Sequence, residues 1–202
     1  MPKIVDREAR RRELIQATWR VISRVGIEHT TVREIAREVG WSAGMIAHYF
    51  ATKDDLLLAA LEHMHERVMA RAARRVERLD GVEALRAVLM ESLPLDAERR
   101  REMQVEVSFW ARAIANPELT AIDLRELDMW TSYLERLVRR AIELGELVPV
   151  EDVGLAVETL AAGTEGIGQA ATLHPRRYPP ARQLAVLDAL LAPLLTARAP
   201  VP

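Results

Sequence analysis

A chain of 202 residues is long enough for one large domain or two small ones with a well-buried core. Half of its residues are hydrophobic and none is cysteine, which excludes disulfides and thiolate metal sites. No apolar run approaches the roughly 20 residues of a membrane span, and the polar, basic start is unlike a signal peptide, so we expect a cytoplasmic protein. Residues 1–53 carry a net charge of +4 and residues 54–202 a net charge of −6. A basic N-terminal segment followed by an acidic remainder is typical of a protein whose N-terminal part contacts nucleic-acid phosphates.

The first predicted helix runs from about Asp6 to Val25, with an apolar stripe that includes Leu14 and Ile22. Its first two turns are crowded by Arg7, Arg10, Arg11 and Arg12. These arginines form either a solvated basic face or a set of phosphate contacts, which strengthen DNA binding without reading sequence.

Two short helices joined by a tight turn are predicted between Thr30 and Lys53. Thr31 and Glu34 have the spacing of a capping box, and Gly40 can end the first helix in the left-handed conformation. Ser42 can cap the second helix. The inward side of that helix carries Ile46, Tyr49 and Phe50. This arrangement is a helix-turn-helix, whose second helix fits the major groove of DNA.

The order of these motif residues is specific. A long helix ends in Val25-Gly26, then comes T-x-x-E-I-A-x-x-x-G from Thr31, and then H-Y-F-x-x-K-x-x-L-L from His48. This pattern resembles the TetR family of one-component transcriptional repressors. The opening M-P-K and the later F-W-A-R-A-I-A-N-P-E-L look more narrowly like the BetI-type branch, which represses choline and glycine-betaine genes. The resemblance implies an all-α protein, with a three-helix DNA-binding domain over residues 1–53 and a helical ligand-binding and dimerisation domain over residues 54–202.

The second motif helix is poor in Arg, Asn and Gln, the residues that grip base edges bidentately. We therefore expect apolar contacts from Ala43, Met45 and Ala47 with thymine methyls, and a close backbone approach at Gly44. The family pattern implies phosphate contacts from Thr31, Ser42, His48, Tyr49 and Lys53. Arg11 and Arg33 complete the predicted DNA-binding set with Trp41, which lies either against a sugar-phosphate strand or in the core.

A helix from Lys53 to about Leu79 would connect the DNA-binding head to the body as a mechanical lever. Glu62 and His65 on it form E-x-x-H, the spacing used by di-iron helical bundles. The chain has no second E-x-x-H, no Ser-His-Asp order, no P-loop and no G-x-G-x-x-G. We therefore expect no metal site, no cofactor and no enzymatic activity.

Aromatic residues are only 4% of the chain, yet several fall on two helices predicted at about 97–115 and 118–144. A box of this kind binds organic cations through cation–π attraction, and a choline-type ligand is what the BetI-like resemblance implies. The alternative is ordinary helical core. Glu106 and Asp128 would add negative charge or, as we expect, face solvent. The predicted effector-binding residues are Met64, Met103, Phe109, Trp110, Trp130, Tyr133 and Thr164.

The last two predicted helices, at about 151–173 and 181–196, have the apolar character of an oligomer interface. Three glycines within the first of them, Gly163, Gly166 and Gly168, cost roughly 1 kcal/mol each relative to Ala, which suggests close approach of a neighbouring helix. Gly168 stands where BetI-like sequences often carry a large aromatic residue, and we expect it to enlarge a cavity. The predicted dimer interface consists of Ala162, Gly166, Ala170, Leu184, Leu187 and Leu191.

The resulting hypothesis is a dimeric, ligand-responsive regulator that places two recognition helices about 34 Å apart on a near-palindromic operator. A small-molecule effector, such as an organic cation, would favour a body conformation that spaces the heads wrongly and so release the DNA. Two other classes stay open on sequence grounds. A helical metal enzyme would use the E-x-x-H pair, and a pure protein-interaction module would not bind DNA. The sequence does not distinguish repression from activation.

Overall fold

A computed structural model describes residues 3–197, with side chains from Arg7 onward. In this range the chain forms α1 (Lys3–Val25), α2 (Val32–Val39), α3 (Ala43–Ile46), α4 (Lys53–Val76), α5 (Gly81–Glu91), α6 (Ala97–Ala113), α7 (Pro117–Glu143), α8 (Val153–Leu173), α9 (Pro180–Leu191) and a short 3-10 helix (Ala192–Leu194). Leu147 and Leu195 form an isolated antiparallel bridge, but the described residues contain no strand. The prediction of an all-α protein is confirmed. None of these helices combines the length and the apolar character of a membrane span.

The chain divides into two compact units. The first takes the chain up to Arg67 together with Gln104–Phe109, and the second takes Val68–Met103 with the chain from Trp110 onward. Both α4 and α6 therefore contribute residues to both units. The predicted functional domains, residues 1–53 for DNA binding and 54–202 for ligand binding and dimerisation, have different bounds from these units and stay a prediction.

The core of the first unit forms where α1, α2 and α3 meet. It contains Leu14, Ile35, Ile46, Phe50 and Leu56, all with less than a tenth of their surface exposed. Core residues on the same helix, such as Leu14 and Val21 on α1 or Leu56 and Ala59 on α4, are spaced so that they lie on one apolar side that faces inward. Burial of these stripes, rather than helix propensity, supplies most of the stability of such short helices.

The second unit is a helical bundle in which α5 packs against α7, α7 against α8, and α8 against α9. Its core is mainly leucine, including Leu85, Leu134, Leu160 and Leu187, which are at most 1% exposed. A bidentate ion pair also joins α5 to α9, with Arg86 Nε 2.6 Å from Asp188 Oδ1 and Arg86 Nη2 3.0 Å from Asp188 Oδ2.

The last helix is shorter than the sequence pattern indicated. We expected it to continue to about Thr196, but α9 ends at Leu191 and the chain tightens into the 3-10 helix. Pro193 is the cause, because proline has no N–H to donate and its ring clashes with the preceding turn of an α-helix.

Candidate nucleic-acid interface and effector-binding residues

The helix-turn-helix forms through the local signals that the sequence carries. Thr31 Oγ1 accepts from the Glu34 N–H at 3.2 Å, while the Thr31 N–H donates to Glu34 Oε2 at 3.2 Å, so the capping box is complete. Gly40 ends α2 with φ 72°, and its N–H bonds back to α2 carbonyls. Ser42 Oγ then accepts from the Met45 N–H at 3.2 Å and caps α3.

The recognition segment is held by its inner face and exposed on its outer one. Regular α-helix covers only Ala43–Ile46, but backbone hydrogen bonds of the turn type continue the helical path as far as Phe50. Ile46 is 3% exposed and Phe50 7% exposed, so both anchor the segment in the core. Six residues of the predicted DNA-binding set are exposed on this outer face: Ser42, Ala43, Gly44, Met45, Ala47 and His48.

Trp41 and Tyr49 form a half-buried aromatic pair beside this surface. Their ring centroids are 5.7 Å apart, and both rings pack against the core of the first unit. Trp41 therefore packs on the core with part of its ring accessible, and its contact with a sugar-phosphate strand stays a prediction. We expected Tyr49 on the inward side of the helix, and it is only partly inward.

The basic residues of the predicted set differ in their surroundings. Arg33 is exposed on α2 and Lys53 is half-buried at the start of α4. Arg11 is half-buried, and its guanidinium carbon lies 5.0 Å from the centroid of the Phe50 ring. Arg11 thus makes a cation–π contact that steadies the recognition segment from α1.

Two features that orient the helix-turn-helix were missed at the sequence level. Glu38 on α2 receives Arg20 Nε at 2.9 Å and Arg24 Nη1 at 3.0 Å, both from α1. These two hydrogen bonds lower the pKa of the Glu38 carboxyl, and the bond from Arg20 has the larger effect. Thr52 and Asp55 form a second reciprocal cap at the start of α4, at 2.9 and 3.0 Å. The T-x-x-D spacing could have revealed the cap, whereas the Glu38 cluster depends on tertiary packing.

Of the predicted effector-binding residues, Met64 and Phe109 belong to the first unit, where each is 3% exposed. Close to them in sequence, His65 Nε2 lies 2.8 Å from Glu106 Oε2. The expectation that Glu106 faces solvent is therefore wrong, because its carboxylate is largely buried against an imidazole of α4. Asp128, by contrast, is exposed.

The remaining predicted effector residues belong to the second unit, and two of them, Trp110 and Thr164, already use their polar atoms in hydrogen bonds there. Trp110 Nε1 donates to Asp123 Oδ1 at 3.0 Å. Thr164 is 1% exposed, and its hydroxyl donates to the Leu160 carbonyl at 2.7 Å. The Trp110 bond thus joins α6 to α7, and the Thr164 bond lies within α8.

Trp130 and Tyr133 on α7 are half-buried neighbours with ring centroids 6.5 Å apart. The guanidinium carbon of Arg136 lies 5.2 Å from the Tyr133 ring centroid, so a cation already occupies one side of this pair. Burial raises the pKa of the Tyr133 hydroxyl. Within the predicted set, this is the pair with the chemistry of a cation site.

Met103 packs directly on Gly168 of α8. A Cβ built at Gly168 would lie 2.5 Å from Met103 Cε and 3.4 Å from the Ser92 carbonyl oxygen. The missing side chain at Gly168 therefore serves a close helix contact, and Met103 fills the space in which we expected an enlarged cavity. A surface cavity of about 590 Å³ lies elsewhere in the second unit, and it is lined by Ala170, Leu173, His174, Pro175, Arg176, Arg177 and Tyr178.

Three of the four glycines of α8, Gly163, Gly166 and Gly168, separate into two kinds. A Cβ at Gly163 would lie 2.6 Å from Leu190 Cδ2, so this glycine, like Gly168, makes room for a neighbouring helix of the same chain. At Gly166 nothing lies within 4 Å. Among the other predicted interface residues, Ala162 is exposed and Ala170 and Leu184 are partly exposed. Leu187 and Leu191 are 0% and 2% exposed, so they belong to the core of their own chain and cannot offer surface to a partner.

Comparison with known families decides the class of protein. The family model described as bacterial regulatory proteins, tetR family, matches residues 14–60. The model described as BetI-type transcriptional repressor, C-terminal, matches residues 81–196, more than half of the chain. The chain belongs to the TetR family. Its carboxy-terminal unit is of the BetI type, as the resemblance implied.

Individual TetR-family proteins agree with this assignment. The HTH-type transcriptional regulator PksA of Bacillus subtilis is 35% identical over 178 residues, covering 88% of this chain and 85% of PksA. The regulator BetI 1 of Chromohalobacter salexigens is 33% identical over 192 residues, covering 92% and 91%. A putative transcriptional regulator from Saccharomonospora viridis, solved in complex with choline, superposes with a TM-score of 0.85. It is 22% identical over 94% of this chain and 99% of its own, so it shows the shared fold.

TetR-family proteins are transcriptional regulators that bind DNA and small-molecule ligands, and this chain is a ligand-responsive DNA-binding regulator rather than an enzyme. The E-x-x-H pair has another role, since His65 is hydrogen-bonded to Glu106. Among the described residues, no group of three His, Asp or Glu side chains is arranged to hold a metal ion.

Proposed function

We propose that two copies of this chain repress transcription in the cytoplasm by placing their α3 segments in successive major grooves of a near-palindromic operator. Binding of an organic cation in the second unit would release the DNA. The observation that carries the proposal is the exposed run from Ser42 to His48, interrupted only by the buried anchor Ile46. A segment anchored by the inward Ile46 and Phe50, with mostly small residues on its outer face, fits closely into a groove.

The two kinds of DNA contact come from different parts of this surface. Phosphate contacts are assigned to Thr31, Ser42, His48, Tyr49 and Lys53, with Arg33 beside them. Ala43, Gly44, Met45 and Ala47 offer no hydrogen-bonding side chain, so their contribution to sequence reading is apolar. Arg11 contributes to DNA binding indirectly, because its guanidinium packs on Phe50 and so holds the recognition segment in place.

Dimerisation is assigned to the outer face of α8 with the accessible part of α9. Gly163 and Gly168 are explained by contacts within the chain, but the open space at Gly166 is not. The helix-propensity cost of Gly166, about 1 kcal/mol relative to Ala, is offset if a second copy packs closely there. The proposed interface therefore consists of Ala162, Gly166, Ala170 and Leu184, without Leu187 and Leu191.

The effector is assigned to the class of organic cations. The face of Tyr133 already attracts the Arg136 guanidinium, and Trp130 lies beside it, so a quaternary ammonium can replace that contact. The choline bound by the Saccharomonospora viridis regulator supports this class. Release follows if the cation binds one body conformation better than the other, because the shift equals the difference in its affinities.

The decisive experiment measures DNA affinity against salt concentration. Each phosphate contact contributes about 0.9 to the slope of log K against log salt. Because a dimer carries two copies of Lys53, Lys53→Gln should reduce that slope by about 1.8 on any duplex. Arg139→Gln is the matched control, since it removes one exposed positive charge per chain from α7 and should leave the slope unchanged.

A slope unaltered by Lys53→Gln would remove that residue from the interface, and a loss of about 0.9 would indicate a monomer. Absence of any salt-dependent DNA affinity would favour the protein-interaction alternative. In a second arm, choline is added to the preformed complex on a duplex selected from a random library by the protein itself. Release that is lost in Trp130→Ala supports the cation site, and a complex that survives saturating choline contradicts it.

A further inference from the structure

A fully buried carboxylate at the end of α5 gathers arginines from two other helices of the second unit. The Glu91 side chain has no exposed surface. Arg75 Nε on α4 lies 2.6 Å from Glu91 Oε1, and Arg71 Nε, one helical turn earlier, donates to Glu91 Oε2. Arg99 of α6 approaches Glu91 Oε1 at 3.5 Å and also donates to the Met90 carbonyl at 3.2 Å.

A second carboxylate completes the cluster and ties α4 to α6. Glu102 is 6% exposed and takes both terminal nitrogens of Arg71, with Nη1 at 3.0 Å from Oε1 and Nη2 at 2.7 Å from Oε2. Arg71 is thus held by the end of α5 on one side and by the early turns of α6 on the other. Such a fork-shaped pair fixes direction as well as distance.

Stability alone gives no reason for this arrangement. Burying an ion pair costs several kcal/mol of desolvation for each ion, and apolar residues of similar size often hold helices together equally well. What an apolar contact lacks is a preferred geometry, because dispersion forces are not directional. The Arg71–Glu102 pair therefore determines where α4 and α6 lie relative to each other more strictly than packing would.

The residue after Glu102, Met103, packs against α8 at Gly168. Met103 Cε is the atom that a Cβ at Gly168 would overlap, at 2.5 Å. One turn of α6 thus holds α4 through Glu102 and α8 through Met103. Any group that enters beside Gly168 has to displace Met103, and it can do so only by moving this turn or its side chain.

We propose that the Arg71–Glu102 pair is the positioning link that passes a change at the Met103–Gly168 contact to α4, the helix that begins at Lys53. The link rests on the proposed function, since its readout is DNA affinity. It adds to that function the residues through which effector binding in the second unit would change the position of α4.

The test replaces the unknown effector by a side chain introduced at Gly168, so the identity of the ligand is not needed. Gly168→Val places methyl groups where Met103 lies and should lower affinity for a library-selected duplex about fivefold or more. Gly168→Val with Met103→Ala should recover most of that affinity, because the shortened side chain makes room. In the Arg71→Met/Glu102→Met background, Gly168→Val should change DNA affinity by less than about twofold. Glu91 keeps Arg75 and Arg99 as partners in that background.

Gly154→Val is the control for placing a β-branched residue in α8, and it should leave DNA affinity unaltered. Thermal unfolding is measured for every variant, and if Gly168→Val is poorly folded, Gly168→Ala takes its place with a smaller loss in the same direction. The proposal is overturned if the Gly168 variants bind DNA as tightly as the unmodified protein. It is also overturned if their loss of affinity is undiminished in the Arg71→Met/Glu102→Met background. Failure of the unmodified protein to bind DNA would instead contradict the proposed function.

Discussion

At the scale of single residues, the recognition surface stands out by what it lacks. Ser42 uses its hydroxyl to cap α3, and Ala43, Met45 and Ala47 present only apolar groups. Most sequence-specific regulators read guanine or adenine through bidentate hydrogen bonds from Arg, Asn or Gln, and this segment has none of them. We therefore expect discrimination between bases to depend on the thymine methyl group, the one apolar feature of the major groove.

Met45, 38% exposed, is the longest of these apolar side chains and is the residue on which methyl reading should depend. Replacing a contacted thymine by deoxyuridine in a library-selected duplex removes the methyl and keeps the pairing. We expect affinity to fall about fourfold per methyl, the equivalent of about 0.8 kcal/mol for one buried methylene-sized group. Met45→Ala should bind the two duplexes equally.

A cytosine and a 5-methylcytosine at the same position distinguish methyl contact from the shape of A·T-rich DNA. If the methyl is read, 5-methylcytosine binds better than cytosine although both pair with guanine. Equal binding of thymine and uracil duplexes by the unmodified protein would contradict the apolar reading and point to indirect readout.

At the scale of the element, the turn between α2 and α3 is specified by chain-local chemistry. Gly40 has φ 72°, and no neighbouring atom lies within 4 Å of the position of its absent Cβ. The restriction on this position is therefore purely a matter of backbone conformation, and not of space.

Gly40→Ala should lower the free energy of unfolding by about 1 kcal/mol, because an L-residue with a Cβ is strained in the left-handed region. Gly40→Asn should cost less, since asparagine tolerates that region better than alanine. Urea denaturation of the full chain followed by circular dichroism provides the comparison. Equal stability of all three proteins would show that the turn adjusts its conformation.

At the scale of the whole molecule, the small residues of α8 have two kinds of surroundings. Gly163 and Gly168 admit Leu190 and Met103 of the same chain, and Gly166 faces open space. Together with the exposed Ala162, this leaves a smooth surface that a twin helix can approach closely. The interface proposed for the dimer thus contains fewer residues than the sequence predicted, because Leu187 and Leu191 are buried within their own chain.

Gly166→Arg should convert the dimer to a monomer of 22.8 kDa, because a long charged side chain prevents close approach of the second copy. Sedimentation equilibrium measures the mass, and the salt slope of DNA binding should fall with it. Gly163→Ala is the contrasting variant, since its new methyl group meets Leu190 of the same chain and should leave the dimer intact. A dimer that tolerates Gly166→Arg would place the interface elsewhere.

The sequence by itself determined the features that depend on neighbours along the chain. The capping box of Thr31 and Glu34, the helix stop at Gly40 and the cap at Ser42 are contacts within four residues, so the order of residues specifies them almost completely. The inward and outward sides of the recognition segment follow from helical period, which is also local. The TetR family could be recognised for the same reason, since its motif is a string of such local signals.

Only the tertiary structure decided which distant residues share a contact. His65 and Glu106 are 41 residues apart, Arg71 and Glu102 are 31 apart, and Arg86 and Asp188 are 102 apart. Glu106 appeared from its sequence position to be solvent-facing, and Leu187 appeared free for a partner. A helical pattern shows which side of a helix is apolar, but it does not show which helix packs there. That choice is made by the packing of complete helices, so the assignment of each charge and each glycine to its partner had to come from the fold.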